Sequence, residues 1–289
     1  MIIAHLSDLH YGISEHHNKA VEKKIRDIAD QKTDHLVITG DITNSGRERE
    51  YKGIVRILHD SDFYSASRLS VVPGNHDLYM PFFEHFRTPE SVYRKFAGIR
   101  KYVSVLVRYR LKNYRRDLEI FNRHFRPAFE GTITSKGSLG GYPYIKNLNE
   151  NAMLIGIDSN ELPGIARNPA FSNGVCDMQD YHALDRLLSE HDGDGKIRIA
   201  VMHNYLYSYE KVLQMTGKLF ARFMATKQLS RYIELFEKYN INLVLHGHYH
   251  FNDEYYVGDK KIRVLNGGGT RWGKWHEILI SDGRLAVKK

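Results

Sequence analysis

Six times along this chain a short apolar run stops at a turn that carries Asp, Asn or His. Met1 to Leu6 runs into Ser7-Asp8-Leu9-His10, His35 to Thr39 into Gly40-Asp41, and Leu69 to Val72 into Pro73-Gly74-Asn75-His76-Asp77. Later, Ala152 to Ile157 stops at Asp158, Ile197 to Met202 at His203, and Asn242 to Leu245 at His246-Gly247-His248. Near-continuous apolar runs of this length belong to strands buried on both faces. Between them lie helical patterns: Val21, Ile25 and Ile28; Tyr51, Ile54, Val55 and Leu58; Tyr181 to Leu188; and Ile233 to Phe236. Alternating strand and helix predicts an α/β core with parallel strands. The tail from Tyr255 to Lys288 reads as short strands around the turn Asn266-Gly267-Gly268-Gly269. No internal repeat or low-complexity linker interrupts the order.

The chain has 289 residues, 42% hydrophobic and 26% charged, which predicts a packed globular core over 1–289. No apolar run is long enough to cross a bilayer. The N-terminus is apolar but short, with an early Asp and His and no basic start, so it reads as a first strand and not a signal peptide. A single cysteine, Cys176, excludes an intrachain disulfide, reads as a core residue, and fits a reducing, cytoplasmic compartment. The net charge of +8 points to anionic partners. It is concentrated: His85 to Glu130 holds twelve Lys or Arg against four Asp or Glu, an excess equal to that of the whole chain.

In open α/β sheets, sites form at the carboxyl ends of strands. Here those ends carry metal-ligand types: Asp8 and His10, Asp41, Asn75 and His76, His203, and His246, His248 and His250. Each alone has a plain structural reading, as a turn, a helix cap or a packed histidine. Three imidazoles at alternate positions of an extended segment can share a face, which makes the last group the strongest. Their joint occurrence, in order, is what points to metal chemistry.

As a set, Asp8-Leu9-His10, Gly40-Asp41, Gly74-Asn75-His76-Asp77, His203 and Gly247-His248-Tyr249-His250 resemble the motifs of the calcineurin-like metallophosphoesterases. The resemblance spans about residue 5 to residue 250 and includes the strand-end placement. It implies a four-layer αββα sandwich, two mixed sheets flanked by helices, with a dimetal site at their edge. Asp8, His10 and His250 would bind one divalent ion, Asn75, His203 and His248 the other, and Asp41 would bridge them. Mixed imidazole and carboxylate donors suit first-row metals, Mn foremost, with Fe or Zn as alternatives. Two such ions acidify a bridging water to hydroxide and clamp the phosphoryl oxygens during in-line attack. In this resemblance His76 is a catalytic non-ligand that donates a proton to the leaving oxygen or stabilises developing charge. Asp77 would orient its ring, against the plain reading of a turn residue. Two departures stand out. Many relatives have a second His and a Pro after the His203 position, where this chain has Asn204-Tyr205; Asn204 therefore becomes a candidate substrate contact. His246 is additional and reads as a packing residue.

The core names a reaction class and not a substrate. Residues 79–130 read as a basic, aromatic, helical insertion that caps the core, with a helix start at Thr88-Pro89-Glu90 and an apolar stripe of Leu111, Tyr114, Leu118, Phe121 and Phe125. Its Arg108, Arg115 and Arg116 are candidate substrate contacts. Residues 205–230 form a second lid-like segment, where Val212, Met215, Leu219 and Phe223 interleave with Lys211, Lys218, Arg222 and Lys227; Lys218 and Arg222 are candidates too. Such segments suit an anionic membrane surface, a nucleic acid through stacked bases, or simple packing onto the core. Branches of the family with a similar layout include UDP-2,3-diacylglucosamine hydrolases of lipid A synthesis and cyclic-nucleotide phosphodiesterases. The expectation is a dimetal hydrolase of phosphodiester or pyrophosphate bonds in a phosphorylated, lipid-linked substrate, peripheral at the inner membrane surface. The alternative is a cyclic-nucleotide or nucleic-acid phosphodiesterase; a non-enzymatic scaffold fits least, because every ligand position is filled.

Overall fold

The strand-then-turn grammar becomes two mixed sheets. The computed structural model describes residues 1–78, 111–161, 174–176, 178–192, 194–207, 226, 228–269 and 275–288. Arg108, Lys218 and Arg222 lie outside them, as do residues 79–110 of the expected insertion and most of the expected second lid.

The first sheet has the order β12-β11-β1-β2-β3. Its parallel centre is β1 (Ile2–Leu6), β2 (His35–Thr39) and β3 (Leu69–Val72), and β2 and β3 are buried at every residue. The tail supplies β11 (His276–Ser281), antiparallel to β1, and β12 (Arg284–Lys288). Two helices join this sheet's core. In α1 (Glu15–Asp30) the Ser14 hydroxyl accepts from the His17 amide at 3.2 Å, an N-cap, and Val21, Ile25 and Ile28 are buried. In α2 (Glu48–Asp60) the buried face is Tyr51, Ile54, Ile57 and Leu58.

The second sheet runs β4-β5-β6-β7-β8-β10-β9. Parallel β6 (Ala152–Gly156), β7 (Ile197–Val201), β8 (Leu243–His246) and β10 (Ile262–Gly267) form its centre. The hairpin β4 (Ile133–Leu139) and β5 (Tyr142–Asn147) and the strand β9 (Asn252–Val257) are antiparallel additions at its two edges. Side chains alternate across this sheet. Leu154, Ile199, Val201, Leu243, Leu245 and Leu265 share one core with the first sheet. Met153, Ile155, Ala200, Val244 and Val264 face Leu184, Leu187 and Leu188 of α6 (Met178–Glu190) and Tyr232, Leu235 and Phe236 of α7 (Leu229–Lys238). Both faces are covered, which is why these strands read as unbroken apolar runs. Polar bonds also tie the sheets together: the Tyr144 hydroxyl donates to the Val71 carbonyl at 3.0 Å, and the Lys146 ammonium to the carbonyls of Ala66 and Leu69 at 2.8 Å.

Two helices lie just before the hairpin, α4 (Leu111–His124) and α5 (Arg126–Phe129); a short turn, α3 (Asn75–Leu78), precedes them. Tyr114, Leu118, Phe121 and Phe125 are buried in the first core. Tyr51 stacks on His124 at 4.7 Å and meets Phe121 and Phe125 edge-on. The stripe expected on sequence is therefore a packing face. Burying a Leu or Phe side chain is worth about 1.5–3 kcal/mol, so these rings sit inside. Arg115 and Arg116 occupy the exposed face of α4, with Arg116 against Asp117 at 3.3 Å.

Candidate metal centre

Parallel strands in one sheet end at the same edge, so β1, β2 and β3 deliver Asp8 and His10, Asp41, and Asn75 to one place. The second sheet does the same with β7 and β8, which deliver His203, His248 and His250. The turns are strained to aim them: Asp8, His10, Asp41, His248 and His250 all have φ between +45° and +80°. Non-glycine residues in that region cost on the order of 1–3 kcal/mol each, and such clusters mark functional sites. Two glycines make room. A Cβ at Gly74 would strike the Asp41 carboxylate, and one at Gly247 would strike the Ser7 hydroxyl.

The donor atoms form two groups that share one residue. Single ligand atoms from Asp8, His10, Asp41 and His250 lie within 4.8 Å of one another, and so do those from Asp41, His203 and His248. In the first, His10 Nε2 is 3.0 Å from His250 Nε2 and 3.7 Å from Asp41 Oδ2, and His250 Nε2 is 3.4 Å from Asp8 Oδ1. In the second, His203 Nε2 is 3.1 Å from His248 Nδ1, 3.1 Å from Asn75 Oδ1 and 3.6 Å from Asp41 Oδ1. The tautomer of His203 follows from its other nitrogen, which lies 2.8 Å from the Thr39 carbonyl and must donate to it. That leaves the Nε2 lone pair facing an amide oxygen, a carboxylate and another ring nitrogen. Converging lone pairs repel unless a cation lies among them, so the donor set fits two divalent ions with Asp41 between them. When bound, such ions supply Lewis-acid polarisation of a phosphoryl group and lower the pKa of coordinated water.

His76 stands beside the first group, its ring edge-on to His10 with centroids 4.5 Å apart. Its backbone N–H donates to Asp41 Oδ1 at 2.8 Å. Its ring Nδ1 lies 2.8 Å from the Asn44 carbonyl and donates to it, leaving Nε2 for chemistry.

The family model of the calcineurin-like phosphoesterases matches residues 1–252. The chain belongs to that family. Its members hydrolyse phosphoric esters, and this calcineurin-like phosphoesterase is a hydrolase whose paired donor groups suggest a dimetal site. Among curated proteins none matches it by sequence. Solved structures share the fold. A dimetal phosphatase from Danio rerio has a TM-score of 0.63 at 10% identity, over 100% of this chain and 95% of that one. A purple acid phosphatase from yellow lupin seeds has a TM-score of 0.57 at 11% identity, over 100% of this chain and 51% of that one. A phosphopantetheinyl hydrolase from Mycobacterium tuberculosis has a TM-score of 0.51 at 13% identity, over 98% of this chain and 97% of that one.

Within this phosphoesterase one sequence expectation is corrected. Asp77 does not orient His76. Its carboxylate accepts from the amides of Ile42, Thr43 and Gly74 at 3.2, 2.9 and 3.0 Å and from the Thr43 hydroxyl at 2.8 Å. It braces the turn after β2 against the turn after β3, and the Asn44 carbonyl holds the His76 ring instead. A carbonyl is invisible to a reading that looks only for side chains. Asn204, expected as a substrate contact, is fully buried, and its side-chain amide oxygen accepts from the Ser159 hydroxyl at 3.0 Å. Arg115 and Arg116 make no hydrogen bond or ion pair with the histidine and carboxylate cluster among the described residues. His246 packs as expected. It is buried, with one nitrogen 2.9 Å from the Gly247 carbonyl and the other 2.8 Å from the Tyr255 hydroxyl. The sequence reading also missed Tyr205, whose buried ring stacks on His248 with centroids 5.7 Å apart.

Burial sets the charge states. It pushes Asp8 up to about 7 and His10 down to about 3. Burial alone would raise Asp41 as well, but the surrounding histidines, His203 first, hold it well below the usual carboxylate range. Burial likewise lowers His246 to about 3 and His35 to about 4, and it depresses His5, His248 and His276. This has a consequence for protein stripped of metal by a chelator. Between the ordinary histidine value of 6.5 and the lowered values, the unfolded chain binds protons that the folded chain refuses. Their contribution to stability is present above 6.5 and is lost as pH falls through that window. Asp8 and Asp77, both pushed up to about 7, and Asp158, also raised by burial, act in the opposite sense from the ordinary 3.8 upward, but the lowered histidines outnumber them. Each unmatched proton is worth about 1.4 kcal/mol per pH unit. The thermal midpoint of the stripped protein, followed by circular dichroism, is expected to fall on acidification from about pH 7 to about pH 4.5. A flat or rising midpoint would show that the carboxyl groups dominate.

Proposed function

We propose that this phosphoesterase cleaves a phosphodiester or pyrophosphate bond with two divalent ions, Mn foremost, held by Asp8, His10 and His250 and by Asn75, His203 and His248, with Asp41 between. The observation that carries the reading is the sharing of Asp41 by two donor groups with His76 alongside. Asp41 offsets the repulsion of two nearby cations. His76, held through Nδ1, presents Nε2 to a leaving oxygen and protonates it as the phosphorus–oxygen bond breaks. Lone pairs fixed by turns in place before substrate arrives need no rearrangement during the reaction.

The choice of substrate rests on what surrounds the core. The lipid-linked reading drew on two apolar and basic segments. In the first of them Tyr114, Leu118, Phe121 and Phe125 are buried in the core, so these four side chains offer no surface to acyl chains. No helix among the described residues is long and apolar enough to cross a membrane. The burial of those four side chains removes part of the basis for an acyl-binding cap, so a water-soluble phosphodiester, such as a cyclic nucleotide, is placed ahead of UDP-2,3-diacylglucosamine. Phosphorus NMR of Mn-loaded protein with each compound, the lipid in detergent, tests this. Cleavage of the cyclic nucleotide alone is the expected result. Release of UMP and a lipid monophosphate would restore the amphiphile reading and give residues 79–110 and 208–225 the task of holding acyl chains. Inertness toward both, with metal bound, would move the proposal to other phosphate esters.

A further inference from the structure

The turn after β6 is a hub that the motif set does not contain. Asp158, Ser159 and Asn160 reach three different segments through three side chains. Asp158 Oδ2 accepts from the Tyr114 hydroxyl of α4. The Ser159 hydroxyl donates to Asn204 Oδ1 at 3.0 Å and accepts from the Asn204 amide at 3.0 Å. Asn160 Nδ2 donates to the Pro73 carbonyl at 3.0 Å and to Asp158 Oδ1 at 2.8 Å. Asn204 follows His203 directly, and Pro73 lies two residues before Asn75. Ser159, Asn160 and Asn204 are all buried, so water does not compete for these bonds. Among the described residues Asn160 Oδ1 accepts no hydrogen bond, so the two oxygens facing Nδ2 are what orient this amide.

The hub thus grips the chain beside two donors of one group, Asn75 and His203, whose ligand atoms stand 3.1 Å apart. It makes no hydrogen bond to Asp8, His10 or His250 among the described residues. We propose that Asp158, Ser159 and Asn160 are positioning residues that hold Asn75 and His203 in register as donors for one of the two metals, and that Tyr114 ties this register to α4. The proposal rests on reading Asn75, His203 and His248 as one metal's donors. Those donors come from two different sheets, and a metal site tolerates only about 0.5 Å of error, so a bridge between the sheets at this point sets affinity.

The test is Mn(II) binding to the full chain, by isothermal titration with electron paramagnetic resonance of the bound ions. Wild type is expected to take up two equivalents. Asn160→Ala is expected to keep one at wild-type affinity and to bind the other roughly 10–100-fold more weakly, the usual effect of removing a group that orients a ligand. Tyr114→Phe, which loses one hydroxyl, is expected to shift the same equivalent by less. Two equivalents unchanged in Asn160→Ala, or both weakened alike, would overturn the proposal and leave the dimetal reading standing. A wild type that takes up one equivalent or none would defeat the donor assignment and the proposal together. If Asn160→Ala does not fold, Ser159→Ala removes a single oxygen and makes the same discrimination.

Discussion

Asp41→Asn is expected to abolish turnover and to weaken both metals at once. The Asp41 carboxylate is the only residue common to the two donor groups among the described residues, with Oδ2 at 3.7 Å from His10 Nε2 and Oδ1 at 3.6 Å from His203 Nε2. The substitution keeps the shape and removes the one charge that would lie between the two proposed cations. It also turns one acceptor into a donor, aimed at a site built from lone pairs. Lewis-acid stabilisation by bound metal is worth several kcal/mol in the transition state. At about 1.4 kcal/mol per tenfold, its loss amounts to roughly 10³-fold or more in rate. Metal content and turnover should therefore fall together. Near-normal activity, or loss of one metal with the other held at full affinity, would remove Asp41 from the bridging position.

His76→Ala is expected to separate the two properties. The bond from residue 76 to Asp41 Oδ1 is made by the backbone N–H, so alanine keeps it. The Asp77 carboxylate continues to brace the turns from the neighbouring position. Both metals should stay. What disappears is the imidazole, and general acid–base groups contribute about 10²–10⁴-fold. The expected result is two equivalents of metal, a kcat lower by about that factor, and a larger loss for substrates with poor leaving groups, since they depend most on protonation. With an activated leaving group such as nitrophenolate, much of the loss should disappear. Equal losses for both kinds of substrate would make His76 a stabiliser of charge on the phosphoryl group. Metal loss would make it a support for the site.

What could be read from the chain was whatever is local. Asp8-Leu9-His10 and Gly74-Asn75-His76-Asp77 sit at the ends of apolar runs, and strand ends at one sheet edge are where such residues meet. The helical stripes of α1, α2, α6 and α7 were legible for the same reason, since a period of 3.6 residues is written in neighbouring positions. The β4–β5 hairpin was missed, although Gly140-Gly141 between Leu139 and Tyr142 is an ordinary turn signal. The hairpin lies between the expected cap, which ends at residue 130, and the apolar run from Ala152, and its strands alternate too little to read as buried runs.

The sequence alone determined the class of fold, through the alternation of apolar runs and helical stripes, and its resemblance to a known motif set named the candidate donors. Only the tertiary structure decided the rest. It put the α4 stripe inside and not on a surface, since a basic amphipathic helix has one pattern whether its apolar face meets a core or a membrane. It gave Asp77 to the amides of Ile42, Thr43 and Gly74, and the His76 ring to the Asn44 carbonyl. It turned five donor-bearing residues into left-handed backbone, and it brought Asn160 against Pro73, 87 positions away. A hydrogen bond forms between whichever donor and acceptor the packed fold sets about 3 Å apart, and no pattern along the chain encodes that distance.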